Sequence, residues 1–286
     1  MRKLILVSLS ILFLCCAARD LQAQQPTPTP GPLTFFYDYT VFPGKEDELM
    51  TLINTVGAPV RDKLLAEGVI LAWGLETPLL RYPGGTTHLI WFTVADYAGV
   101  EKVLNAMEAR LAKLAADEAQ AARGRQRPAM TTAERMRSVF DMSKTRDWLT
   151  RDLVAGFGPP PKAGVLPVTR YNFVKVKPGK GPDYRRTWEK YNKPVFDKLV
   201  ADRVVLAYGL AAEDVKTDGD FTHFVWIATA NMADADKIGP AFAADRARRS
   251  EKDRNEITQD FLEATEPDKA RSIITRSRIF KLAAPK

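Results

Sequence analysis

Cysteine is almost missing from this chain. Of 286 residues only Cys15 and Cys16 are cysteines, and both lie near the start. Beyond them there is no thiol to act as nucleophile, to form a redox pair or to hold a metal as thiolate. Histidine is equally scarce, with His88 and His223 alone. A lone histidine per half of the chain is too few for a usual metal centre without carboxylates beside it, so no metal is expected. No glycine-rich phosphate loop and no Ser-His-Asp order can be assembled. Past residue 23 no apolar run reaches the ~20 residues that cross a bilayer as a helix, so no transmembrane segment is expected.

What stands at the start is a leader. Arg2 and Lys3 precede an apolar stretch from Leu4 to Ala18, and Leu21-Gln22-Ala23 ends in a small residue. This is the pattern of a cleaved secretory signal. Residues 1–23 are read as that signal, and the chain as exported to the periplasm or the extracellular space. A lipid anchor on Cys15 or Cys16 is the weaker alternative, because Leu12-Phe13-Leu14 before them is bulky. The formal charge of +7 becomes +5 without Arg2, Lys3, Arg19 and Asp20, an ordinary solvated surface.

The chain repeats itself. Shifted by 135 residues it matches without a gap for more than fifty positions. Pro43-Gly44-Lys45 meets Pro178-Gly179-Lys180, and Asp62-Lys63-Leu64 meets Asp197-Lys198-Leu199. Leu71-Ala72-Trp73-Gly74-Leu75 meets Leu206-Ala207-Tyr208-Gly209-Leu210. Thr87-His88 meets Thr222-His223, and Trp91 meets Trp226. Such self-similarity marks a duplicated structural unit.

Each copy reads as strand, helix, two strands, helix, strand. Residues 35–42 and 171–177 are rich in aromatic and β-branched side chains, as strands are. Leu49, Ile53, Val56, Val60 and Leu64 form one helical face, matched by Tyr184, Trp188, Tyr191, Val195 and Leu199. Pro59 and Pro194 should interrupt that helix. Strands at 69–75 and 204–210 lead through loops with Gly84-Gly85 and Gly219 to strands at 87–94 and 222–229. Second helices are predicted over 96–114 and 232–253, short third helices at 132–142 and 257–263, and last strands at 148–155 and 272–282. The order β-α-β-β-α-β is ferredoxin-like. The expected architecture is α+β, with units at 34–155 and 168–282 packed sheet to sheet. A Pro/Thr-rich spacer, 24–33, precedes them, and a linker, 156–167, joins them.

The strand, Pro-Gly-Lys turn, proline-containing helix and strand ending Trp73-Gly74-Leu75 or Tyr208-Gly209-Leu210 resemble the dimeric α+β barrel superfamily. That group includes antibiotic-biosynthesis-type monooxygenases, EthD-like and NIPSNAP-like proteins, haem-degrading monooxygenases and chlorite dismutases. The resemblance covers nearly all of the mature chain, twice, and implies an intramolecular α+β barrel. It is a likeness of fold pattern, and one fold hosts many activities. No Asn-aromatic-His arrangement and no helix-borne histidine carries over as a haem site, so no cofactor is expected.

The candidate functional residues are few. His88 and His223 occupy the same place in the two copies, each on the strand face shared with apolar residues and opposite Trp91 or Trp226. They are either polar groups of a pocket, poised for proton transfer, or partly buried structural histidines. Trp73, Trp91, Tyr208, Trp226 and Tyr37, with Tyr39, are candidates to line a ligand site or to fill the core. Asp62-Lys63 and Asp197-Lys198 read as a solvated helix edge, and the arginines at 123, 125, 127, 246, 248 and 249 as exposed charge. The signal segment and the missing RNP motif argue against nucleic acid. The expected function is binding of a small apolar or aromatic molecule, or of a protein partner, in the cell envelope. The alternative is a cofactor-independent monooxygenase-like enzyme acting on a small aromatic substrate. Tyr37 against Asn172 and Tyr39 against Val174 hint that the two copies have diverged.

Overall fold

The computed structural model describes residues 30–283 apart from 82–84, 124–129, 163 and 218–219. The expected signal segment, most of the spacer, the loop glycines Gly84 and Gly219, and Arg125 and Arg127 lie outside the described residues.

The first copy contributes β1 (Leu33–Tyr39), β2 (Ile70–Pro78), β3 (His88–Val94) and β4 (Arg146–Phe157). The second contributes β5 (Val168–Val176), β6 (Ala207–Glu213), β7 (His223–Thr229) and β8 (Thr265–Leu282). All pairings are antiparallel, and the strands close into a barrel in the order β1-β3-β2-β8-β5-β7-β6-β4. Within each copy this is the ferredoxin-like order. The expected face burial is achieved by joining edges as well: β2 pairs with β8, and β4 with β6. Among the described residues the barrel closes on itself, and both edges of each copy's sheet are paired with the other copy.

Alternation then sorts the side chains into two environments. Phe36, Leu89, Trp91, Trp148, Tyr171, Phe173 and Phe224 point into the barrel and pack on one another. Leu33, Trp73, Leu75, Ile90, Phe92 and Val94 point outward beneath the helices of the first copy. Val176, Tyr208, Leu210, Val225 and Ile227 do the same in the second.

The helices of the first copy are α1 (Glu46–Leu52), α2 (Ala58–Ala66), α3 (Tyr97–Ala122) and α4 (Thr132–Val139). Those of the second are α5 (Gly181–Tyr191), α6 (Lys193–Ala201), α7 (Met232–Ala235), α8 (Ile238–Arg248) and α9 (Glu251–Ala264). The interruption expected at Pro59 and Pro194 is present, and it differs between copies. In the first, a π-helical turn, Ile53–Gly57, bridges α1 and α2. In the second, α5 stops at Tyr191 and α6 restarts at Lys193.

Where one helix was expected over 232–253 the chain forms α7 and α8. Pro240 has no amide hydrogen for the preceding turn, so the helix restarts around it. Ser250 then caps α9 by accepting from the Asp253 amide at 3.1 Å. The last strand also begins earlier than expected, at Thr265, because its first residues pair with Lys175 and Val176.

Candidate functional site

Three polar places stand out against this apolar framework. One is inside the barrel. Gly74 and Gly209, the middle residues of the repeated Trp/Tyr-Gly-Leu strands, face the lumen. A Cβ on Gly74 would lie 2.8 Å from the Trp91 ring, and one on Gly209 would lie 2.4 Å from Trp226 Nε1. The glycines therefore make room for the two indoles. Each indole N–H donates to an acid, the one on Glu76 buried and the one on Asp152 half-buried. Trp91 donates to Glu76 Oε1 at 3.1 Å, and Trp226 donates to Asp152 Oδ1 at 3.0 Å.

The two acids come from non-equivalent positions. The repeat counterpart of Glu76 is Ala211, and that of Asp152 is Ser277. Glu76 also accepts from Thr169 at 3.4 Å, Tyr171 at 3.1 Å and Thr275 at 2.5 Å. Burial pushes the Glu76 carboxyl up, and its four donors pull against that. Asp152 is raised by burial to about 6. The surrounding lumen is filled by rings in contact, with Phe36 and Trp148 stacked at 4.7 Å and Phe173 and Phe221 at 4.8 Å. Glu76 is thus the hub of a satisfied network in a packed core, while Trp148 Nε1 and Ser277 Oγ are buried there without a partner. Glu76→Ala leaves the Trp91, Thr169 and Tyr171 donors without that acceptor, while Thr275 keeps the Thr169 carbonyl at 3.2 Å, and it opens a cavity, so it should cost about 3–5 kcal/mol in urea unfolding, whereas Glu76→Gln should cost about 1–2 kcal/mol.

The second place holds the histidines. Both lie on the outer face, away from Trp91 and Trp226, sealed beneath the helices. The Thr87 hydroxyl accepts from the Val41 amide at 2.7 Å and donates to the Tyr39 carbonyl at 3.1 Å. Its single proton is thus spent, so His88 Nδ1, 3.0 Å away, must be the donor. Thr222 and His223 repeat the arrangement with Val176 and Val174. The repeated Thr-His pair ties the end of one strand to the start of its neighbour. Burial lowers both imidazoles to about 4.

The third place lies beneath the π-turn of the first copy. Arg61, on α2, is only 4% exposed. Its guanidinium carbon stands 5.9 Å from the Tyr37 ring centroid and 5.7 Å from that of Trp73. It has no ion-pair or hydrogen-bond partner among the described residues, and its Nε is buried without an acceptor. The π-turn makes the fit possible. A Cβ on Gly57, the last residue of that turn, would lie 2.3 Å from Arg61 Nη1. The turn also frees the Thr55 carbonyl, which accepts from Arg110 of α3 at 2.9 Å.

Tyr37 stacks on Tyr39 at 6.0 Å, and Tyr39 on Phe140 at 4.4 Å. Burial raises both tyrosine hydroxyls, so they stay neutral. In the second copy the same space is filled by rings and carries no charge, although the Trp188 indole nitrogen there is buried without a partner. Phe196 replaces Arg61 and stacks on Tyr208 at 5.0 Å and Trp188 at 5.8 Å.

Of the sequence candidates, the structure thus brings Tyr37 and Trp73 together around Arg61. Trp91 and Trp226 are placed in the lumen, and Tyr208 in the second helix-covered core. Asp62 and Asp197 are more than a solvated edge. Asp62 accepts from Trp73 Nε1 at 3.0 Å, and Asp197 accepts from the Tyr208 hydroxyl. Arg61, Glu76 and Asp152 were missed. The signal for Arg61 was available: the 135-residue shift sets a charged side chain against a phenylalanine. Among the described residues no group of three or more metal-ligating side chains is found, and no helix is long and apolar enough to cross a membrane.

The barrel is similar to solved structures over almost its full length. A proposed monooxygenase from Fusobacterium nucleatum subsp. nucleatum superposes with a TM-score of 0.56 at 12% identity, over 90% of this chain and 97% of that one. A proposed monooxygenase from Lactobacillus acidophilus gives 0.55 at 10% identity, over 89% and 97%. An anthrone oxidase-like protein gives 0.49 at 11%, over 90% and 94%. No protein-family model matches the chain, and no curated protein matches it. The fold is that of the dimeric α+β barrels, in a form where two ferredoxin-like units are tandem in one chain. At these identities the likeness is one of fold and carries no activity with it.

Proposed function

We propose that this is an exported binding protein that holds a small apolar or aromatic molecule on the helix-covered side of its first unit. The observation that carries the reading is Arg61, buried and unpaired where the second unit places Phe196. A buried charge without a partner is costly. A fold that replaces good core packing with one has a use for it. The half-buried rings of Tyr37 and Tyr39 supply the flat apolar wall that small-molecule sites have. An open groove of about 650 Å³ lies between α3 and α4 of the same unit, outside Arg61 and its rings. Leu111 and Met136 line that groove and also pack on the core cluster that contains Tyr37, Tyr39 and Trp73. Residues 1–23 support export.

Native mass spectrometry of the protein purified from its own host tests the reading. A bound mass of a few hundred daltons should accompany the wild type and be lost in Arg61→Phe, which copies the second unit. A bare wild type that also takes up no aromatic probe would remove the reading.

The same site supports a second reading, a cofactor-independent monooxygenase-like enzyme. The buried guanidinium would stabilise an ionised aromatic substrate, and dioxygen would convert its CH₂ to C=O, one oxygen entering the product and the other leaving as water. Two structural neighbours are themselves described as proposed monooxygenases. Oxygen uptake dependent on an added acidic aromatic, and absent in Arg61→Phe, would favour this reading over binding alone.

A further inference from the structure

The site beneath the π-turn has a charge and, among the described residues, no ion pair to hold it. Asp62, next to Arg61 in sequence, is the nearest candidate, and it is taken. Its carboxylate accepts from Trp73 Nε1 at 3.0 Å and from Lys281 Nζ at 2.7 and 2.8 Å. Glu46, Asp47 and Glu48 of α1 make no ion pair with Arg61, and Glu48 holds Lys45. Tyr37 and Tyr39 stay protonated, because burial disfavours their phenolates. The protein thus offers Arg61 aromatic faces and no ion pair, with Asp62 acting on it only through space and Asp147 standing beyond the two tyrosines. The second cation at the turn, Arg110, donates one nitrogen to Thr55 while its Nε is buried without an acceptor.

Both orphan donors belong to guanidiniums, whose planar forks match a pair of oxygens. We infer that the ligand of this site is an aromatic oxyanion, a carboxylate or ionised phenol on a flat apolar body, with its oxygens on Arg61 and its ring against the half-buried faces of Tyr37 and Tyr39. This rests on the reading above that the ligand sits in this site. It adds the ligand's charge, which that reading leaves open. The oxyanion completes an ion pair that the fold leaves half-made, and the rings exclude water around it, which strengthens the pair.

The test compares matched probes by calorimetry on the mature protein at neutral pH. Naphthalene-2-carboxylate and naphthalene-2-carboxamide share shape and differ in charge. Ionised 2,4-dinitrophenol supplies the phenolate arm. The carboxylate or the phenolate should bind at least tenfold more tightly than the carboxamide, and whichever is tighter names the oxyanion. In Arg61→Met that ratio should fall to about one, while Arg61→Lys keeps part of it. Equal binding of carboxylate and carboxamide to the wild type overturns the oxyanion and leaves the ligand site standing. Binding of none of the three overturns both. The wild-type ratio decides the matter even where a variant fails to fold.

Discussion

Arg61→Met makes the protein more stable, by about 1–4 kcal/mol in urea unfolding, the range seen when buried ion pairs give way to apolar side chains of similar volume. The substitution removes two cation–π contacts, each worth about 0.5–2 kcal/mol. Against this it removes the cost of desolvating a guanidinium that has neither ion pair nor hydrogen bond. Methionine is long and pliable enough to fill the space between Tyr37, Trp73 and Gly57. The second copy already demonstrates the apolar solution, with Phe196 buried between Trp188 and Tyr208. A gain in stability joined to a loss of ligand is the trade expected where a functional group strains the fold that carries it. A loss of several kcal/mol would make Arg61 a prop of the core, and the binding site would lose its anchor.

The parts of this fold that rest on periodicity were legible from residues alone. Phe35 to Phe42, Val69 to Leu75 and Thr87 to Val94 have strand composition in both copies, though the first strand runs over Leu33–Tyr39, and the four-three-four-four apolar stripe marks the first helix. The 135-residue shift allowed each copy to check the other. Barrel closure was less legible, because β2–β8 and β4–β6 pairing depends on edges that look alike in sequence. The site residues escaped for two separate reasons. Arg61 stands beside Val60, and a charge at the rim of an apolar stripe reads as solvated. The π-turn ahead of α2 adds a residue to the winding, so the inward face shifts. Val60 is only half-buried, and Arg61 is buried. Glu76 escaped because a single acid near a strand end looks like a turn residue. Its parity with Gly74 was the clue, for it set Glu76 on the face opposite Trp73, where Trp91 also points. The histidines were placed on the correct face, but their sealed setting depends on which side the helices cover, and strand alternation alone does not tell.

Acidification from pH 6.5 towards 4 should weaken the fold through His88 and His223. Each imidazole is lowered from 6.5 to about 4 by burial. Between those values the unfolded chain binds protons that the native state refuses, so stability rises with pH through the window and falls as pH drops. The contribution is fully present above 6.5 and is lost on approach to 4, about 3 kcal/mol per ring at most. Asp152 works with the opposite sign. Its carboxyl is raised from 3.8 to about 6, so the native state holds its proton longer, and that contribution is lost as pH rises. Burial raises Glu76 as well, with the same sign as Asp152, so the share of the histidines is read as the change in slope between the wild type and a variant without them. His88→Asn with His223→Asn keeps a donor near the Nδ1 position for Thr87 and Thr222, and it should flatten the slope or invert it towards the Asp152 sign. The direct readout is the imidazole Cε1 proton resonance. Midpoints near 4 on both rings, in a chain still folded at that pH, fit the sealed Thr-His latch. Midpoints near 6.5 would mean that the rings meet solvent, and would return them to the list of groups able to move a proton at neutral pH.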